Sequence, residues 1–272
     1  MKRVIIKLNQ KVESELDLRN LSQIDFEKNL GLIPKIKLLY KNRQVLVEKL
    51  FSIKIEKTSK KENELVISNL NKNCNFIGWR WKKNILRINS NVGSFLGAQM
   101  TGGSIYVEGA AENYVGSQMK NGNIFIKSNC LDFVGCPLPG NKIGMSGGVI
   151  IINGNVRDYL GLNMRKGMIY VNGNSGNYSC NNMLAGTVII KKKIGKYLGF
   201  GMKRGTILIR QNLINKKIFL ENKELDLTFI NLLYDFFFKN YGLKIFKKKA
   251  KFRRFFGDRN IDGIGELLIG KL

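Results

Sequence analysis

The chain has 272 residues, 44% of them hydrophobic, with 46 Lys and Arg against 20 Asp and Glu for a formal net charge of +26. No apolar run approaches the ~18 residues that a membrane helix requires. The opening Met1-Lys2-Arg3-Val4-Ile5-Ile6-Lys7-Leu8 turns polar too soon for a signal peptide, so a cytoplasmic protein is expected.

Residues 1–75 read as a β-rich cap. Val4–Leu8 is a strand candidate, and Ser22 has the character of an N-cap with a short helix behind it, ended near Gly31 and Pro34. Further strands are expected over Ile36–Tyr40, Phe51–Glu56 and Leu65–Leu70. In the second of these Phe51, Ile53 and Ile55 alternate with Ser52, Lys54 and Glu56, the pattern of a half-buried strand.

From Gly78 to Ile209 one pattern recurs: an aromatic, a small apolar residue, Gly, two residues, Met, two residues, Gly, then a β-like run. It reads Phe95-Leu96-Gly97, Met100, Gly103 and again Tyr114-Val115-Gly116, Met119, Gly122. The Met positions 100, 119, 145, 164, 183 and 202 are spaced 19, 26, 19, 19 and 19. A fixed short period marks a solenoid. A decayed copy, Phe76-Ile77-Gly78 with Trp81 in the Met place, makes about seven coils in residues 76–210.

Pairs such as Ile105/Val107, Ile124/Ile126 and Ile169/Val171 share a parity, so each pair points to one face of a strand. The expected fold is all-β, a parallel β-helix whose core takes these pairs, the Met row and the small apolar residue before the first Gly. In the coil at Tyr178, Ser179 and Cys180 stand where other coils place an aliphatic residue and Gly, which predicts local strain or a bulge. Lys191-Lys192-Lys193 replaces the Asn-Gly-Asn turn of neighbouring coils.

One coil carries seven extra residues, the insertion 137–144, with two of the three prolines of the chain. Solenoid insertions extend from one face and are frequent partner sites, and prolines lower the ordering cost of binding. Pro137, Leu138, Pro139 and Lys142 are therefore candidate interface residues. Residues 211–272 hold a helix near Phe229–Tyr241, apolar nearly all round and hence expected to be buried, ended by Gly242. A basic, aromatic run follows, in which Phe252, Arg253, Arg254 and Phe255 are candidate partner contacts, and then a Gly-rich extended tail.

Catalytic chemistry has little to build on here. The chain has no His, and Cys74, Cys130, Cys136 and Cys180 form no CxxC pair, so no zinc, iron–sulfur or triad site is expected in it. The acidic residues of the repeats, Glu108, Glu112, Asp132 and Asp158, fall at different offsets and make no convincing pair. Lys and Arg are scattered, apart from Lys191–Lys193 and the run Lys244 to Arg254, so an acidic partner is favoured over nucleic acid.

The Gly-x-x-Met-x-x-Gly unit, the insertion Pro-Leu-Pro-Gly before Gly144-Met145-Ser146-Gly147-Gly148, and the ending Arg253-Arg254-Phe255-Phe256-Gly257-Asp258 with Gly263-Ile264-Gly265-Glu266 resemble the C-type subunit of formylmethanofuran dehydrogenase. More narrowly, they resemble the C-type subunit of the bacterial formyltransferase/hydrolase complex of methylotrophs, over about residues 76–272. The coil is also similar to the C-terminal domain of the glutamate synthase large subunit. The resemblance implies a right-handed β-helix serving as a non-catalytic scaffold in tetrahydromethanopterin-linked one-carbon metabolism, with no cofactor bound by this chain. It implies as partners an amidohydrolase-like A-type subunit, a B-type subunit and a D-type formyltransferase subunit. Zinc, or a molybdenum or tungsten pterin in the archaeal relative, would sit on other subunits with a methanofuran-type carrier, whose bacterial form bears a polyglutamate tail. Two competing readings remain: a glutamate-synthase-type spacer, and a stand-alone solenoid that binds nucleic acid or another polyanion.

Overall fold

A segment that repeats every 19 residues and is rich in β-branched side chains can satisfy its backbone by pairing with its own next copy, and the computed structural model shows that arrangement. It describes residues 1–28, 30–210, 217–222, 228–247 and 250–270. The first part holds β1 (Lys2–Leu8), β2 (Leu16–Asp17), β3 (Lys37–Tyr40), β4 (Arg43–Leu46), the single turn α1 (Val47–Leu50), β5 (Phe51–Lys57), β6 (Glu64–Ser68) and β7 (Cys74–Asn75). The repeats give β8 (Ile85–Ile88), β9 (Thr101–Val107), β10 (Asn121–Ile126), β11 (Ser146–Ile152), β12 (Lys166–Val171), β13 (Thr187–Ile190) and β14 (Thr206–Ile209). The chain continues with β15 (Leu220–Asn222), α2 (Thr228–Tyr241), β16 (Phe252–Gly257) and β17 (Gly265–Gly270).

The fold is mostly β with few helices. A 13-stranded sheet runs β15-β16-β17-β14-β13-β12-β11-β10-β9-β8-β6-β1-β5, and a four-stranded sheet runs β4-β3-β2-β7. From β1 through β6 and β8 to β14 and then β17 the large sheet is parallel. Its register lines up one column, Leu86, Ile105, Ile124, Ile150, Ile169, Val188, Ile207 and Leu267, every member at most 1% exposed. Residues 1–75 thus contribute three strands to the same sheet as the repeats.

Glycine and methionine interlock between coils. Met100, Met119, Met145, Met164, Met183 and Met202 are all fully buried. The terminal methyl of Met100 lies where Gly122 of the next coil lacks a side chain: a Cβ there would stand 2.6 Å from Met100 Cε. Gly122 also has φ 97°, a conformation that favours glycine. Met202 meets Gly265 in the same way, so the device that stacks the coils also seats the terminal strand β17.

Three expectations change. Ser22 lies inside a 3-10 turn, Arg19–Gln23, and caps no helix. The Asp25 carboxylate accepts from the Glu27 and Lys28 N–H groups, a local turn that competes with helix formation. At Cys180 the bulge is absent and the strain is present. This residue takes the left-handed conformation of the missing Gly (φ 60°), and the adjacent β12–β13–β14 register runs without a shift. α2 is not buried all round: Ile230, Leu233 and Phe237 pack on the outer face of the sheet against Tyr170, Ile189, Leu208 and Leu268, while Phe229, Leu232 and Phe238 are exposed. A lone helix on a flat sheet buries one stripe. Gly242 ends it with φ 67°, its N–H on Phe238 O and that of Leu243 on Phe237 O.

Candidate interaction site

At the coil corners of Trp81, Met100 and Met119 the residue before the inward Trp or Met takes left-handed backbone (Arg80 φ 55°, Gln99 φ 57°, Gln118 φ 54°), and the residues on either side of the buried one are half-buried or exposed. Coil by coil these flanks are Arg80 and Lys82, Gln99 and Thr101, then Gln118 and Lys120, with Arg165 beyond the insertion. They line one cleft of about 610 Å³, walled on one side by Asn141 and Ile143 of the insertion. Its lining contains four cations, Arg80, Lys82, Lys120 and Arg165, and no carboxylate.

Inside the cleft a ladder of side chains fixes the geometry. Arg80 Nε donates to Gln99 Oε1 at 2.8 Å, and Gln99 Nε2 to Gln118 Oε1 at 3.0 Å. Gln118 Nε2 reaches Ile143 O at 3.4 Å, tying the ladder to the insertion. With Arg80 Nε engaged by Gln99, the other guanidinium nitrogens remain to fork a carboxylate. Lys82, Lys120 and Arg165 are each two coils apart, about 10 Å. At that spacing repulsion is modest in water and falls sharply for an anion bridging them.

Three of the carboxylates of the repeats are used elsewhere. Asp132 Oδ1 accepts from Asp158 N at 2.9 Å, and Asp158 Oδ1 from Asn177 N at 2.7 Å, so these side chains clip one coil to the next. Glu108 pairs with Lys127 at 2.6 Å. The thiols are buried: burial pushes Cys74 up to about 11 and Cys130, Cys136 and Cys180 higher still. Among the described residues no cluster of Cys, Asp and Glu is placed to hold a metal ion, and no helix is long and apolar enough to cross a membrane.

The residues singled out from sequence fall into two places. On the insertion Pro137 is buried, Leu138 half-buried, and Pro139 and Lys142 exposed. Asn141 N donates to Leu138 O, and Met145 N to Gly135 O at 2.7 Å, closing the excursion at its base. The second group lies on β16. Arg253 makes a two-pronged pair with Glu221, Arg254 pairs with Glu266 at 2.5 Å, Phe255 is 2% exposed and Phe252 packs edge-on to Phe246. β16 and β11 are five strands apart in the sheet, about 24 Å, so these are two separate surfaces.

The cleft itself was visible in the sequence only as a period: the residues on either side of each Met. Its members vary in type, which hid it. A second feature lay in the same repeat. Phe76, Phe95, Tyr114, Phe133, Tyr159, Tyr178 and Tyr197 stack face to face, 4.5 to 5.1 Å between centroids, and Arg19 sits 4.2 Å above Phe76. All seven have positive φ, from 55° to 65°. Left-handed backbone costs a non-glycine residue about 1–2 kcal/mol, and each ring pair returns about 0.5–1.5 kcal/mol.

A family model described as the GXGXG motif matches residues 36–233. No curated protein matches the chain. Among solved structures, a chain of the formyltransferase/hydrolase complex (FhcABCD) from Methylorubrum extorquens, determined in complex with methylofuran, is similar to it. The two are 26% identical with a TM-score of 0.80, over 97% of this chain and 98% of that one.

Proposed function

The chain belongs to the GXGXG motif family, and from that premise we propose that it is a non-catalytic scaffold subunit of a formyltransferase/hydrolase-type complex. The observation that carries the reading is the end-to-end match with a chain of such a complex, nearly complete in both directions. The scaffold role is supported by where the polar side chains of the repeats go, into coil-to-coil clips and ladders. In this reading residues 1–75 cap a right-handed parallel β-helix of about seven coils over 76–210, and 211–272 close it. Its partners are the amidohydrolase-like, B-type and formyltransferase subunits, which carry the chemistry, any zinc and tetrahydromethanopterin.

Contacts with them fall on the insertion (Pro137, Leu138, Pro139, Lys142) and on β16 (Phe252, Arg253, Arg254, Phe255). The cationic cleft suits the polyglutamate tail of a methanofuran-type carrier, because its lining offers Arg80, Lys82, Lys120 and Arg165 without a competing carboxylate. Affinity purification of the chain from its own cell tests the assignment. An amidohydrolase-like zinc protein and a formyltransferase are expected to co-purify in fixed ratio. A chain that elutes without them, or with nucleic acid, overturns the assignment.

A further inference from the structure

We propose that the outer edge of β5 is the seam of a two-fold dimer of this chain. Among the described residues β5 is the last strand of the large sheet and pairs on one side only, antiparallel with β1. The flanking bonds Asn9 N to Leu50 O and Thr58 N to Met1 O fix the phase of that ladder. The even residues of β5 turn their backbone groups to β1, and the odd ones, Ile53, Ile55 and Lys57, turn theirs away from it. Ile55, at the middle of this open edge, is 46% exposed.

An open edge is a template for another strand, and charged side chains normally guard it. Lys54 is such a guard: its side chain is 74% exposed, its Nζ lies 3.2 Å from Glu56 of the same strand, and Glu56 also meets Arg3 at 3.3 Å. The sequence around it is self-complementary. If a second copy pairs antiparallel with a two-fold axis through Ile55, Lys54 faces the copy's Glu56 and Glu56 faces the copy's Lys54. These are the non-hydrogen-bonded positions, where cross-strand side chains approach most closely. Ile55 meets its own equivalent at the hydrogen-bonded position between them. Moving the axis to Lys54 sets two ammonium groups face to face. Moving it to Ile53 leaves Lys54 opposite Ser52 with no opposing charge. An exposed pair along one strand contributes little, so it does not disarm the guard; the one arrangement with its own copy adds a second carboxylate to each Lys54 and joins the two pairs into a four-charge cluster, which other registers do not.

Sedimentation of the full chain tests the seam, with thermal unfolding of each variant as the folding control. The wild type is expected to be a dimer at micromolar concentration. Lys54→Glu sets carboxylates against carboxylates and Glu56→Lys sets ammonium groups against ammonium groups, so each variant alone is expected to dimerise at least about tenfold more weakly. An equimolar mixture restores an opposite charge at every position and is expected to form the mixed dimer. Ile55→Cys is expected to cross-link across the axis under mild oxidation, while Ile53→Cys, which lies opposite Lys57, is not. A monomeric wild type, a mixture that stays monomeric, or dimers indifferent to both charge changes overturns the proposal. Cross-linking through Ile53→Cys in place of Ile55→Cys overturns the register.

Discussion

Trp81, Met100, Met119 and Met164 point into the stack, and the residues beside them, Arg80, Lys82, Gln118, Lys120 and Arg165, point out of it at the same corner of the same coils. The inward set is nearly constant in type because each member must fit the glycine above it. The outward set varies, and it carries the charge. A solenoid corner therefore separates scaffold from binding surface at the level of single adjacent residues: the period fixes one and leaves the other free.

Five experiments break or sharpen that contrast, beginning with the inward side. Met119→Asp places an unpaired charge at a fully buried position and should cost about 5 kcal/mol, read as loss of the cooperative thermal transition. An unchanged transition would mean the column does not face inward. Gly122→Ala should cost about 3 kcal/mol in denaturant unfolding, since its Cβ meets Met100 at a φ of 97°.

Third is a buried charge that is compensated. Glu64 is fully buried between Arg3, Lys60 and Arg87, with Lys60 Nζ 2.9 Å away. Burial pushes its carboxyl up, but the hydrogen bonds and charges of Lys60 and Arg87 outweigh burial and hold it below the usual glutamate value. Its stabilisation is therefore complete above the ordinary glutamate range and is lost as pH falls through the lowered folded value. Glu64→Gln should cost about 2 kcal/mol at neutral pH and flatten the acid limb of the stability profile. An acid limb as steep as that of the wild type would exclude the effect.

The smallest change in stability belongs to the outward set. The paired substitution Lys120→Gln with Arg165→Gln should shift stability by less than about 0.5 kcal/mol. It should also weaken salt-sensitive binding of polyglutamate, measured by titration at low and high ionic strength. Undiminished binding would move the tail off the cleft. Deleting residues 137–143, which restores the 19-residue spacing, should likewise leave the fold standing while co-purification of partner subunits falls.

Much of the scaffold was legible because it is periodic. The Met row, the Ile/Val columns and the Gly positions each have a mechanical reason to recur. What the sequence hid was set by context. α2 reads as apolar on every side, yet only contact with a flat sheet decides which stripe is covered, and Phe229 and Leu232 stay outside. Ser22 has the chemistry of a cap, and Asp25 takes the local backbone instead. Cys180 breaks the pattern without breaking the register, because left-handed backbone is tolerated where the neighbouring coils hold it. The basic, aromatic run after α2 reads as partner contacts, but Ile245, Phe246 and Phe255 are buried and β16 joins the sheet. The cleft leaves no motif in the sequence because Lys, Thr, Lys, Ser and Arg succeed one another along it with no shared type.

The ladder of rings also makes the molecule its own optical ruler. Both tryptophans of the chain, Trp79 and Trp81, sit in the first coil, with Trp79 edge-on to Phe76 at 5.4 Å. Tyr114, Tyr159, Tyr178 and Tyr197 occupy the same column, interrupted by Phe133, the last of them six coil steps beyond Phe76, about 29 Å away. Light absorbed by a tyrosine anywhere in the stack can pass to the tryptophans at one end, with a yield that falls with each coil between them. Fraying from the far end would then dim the transferred emission while directly excited tryptophan stays constant, and fraying from the near end would change both.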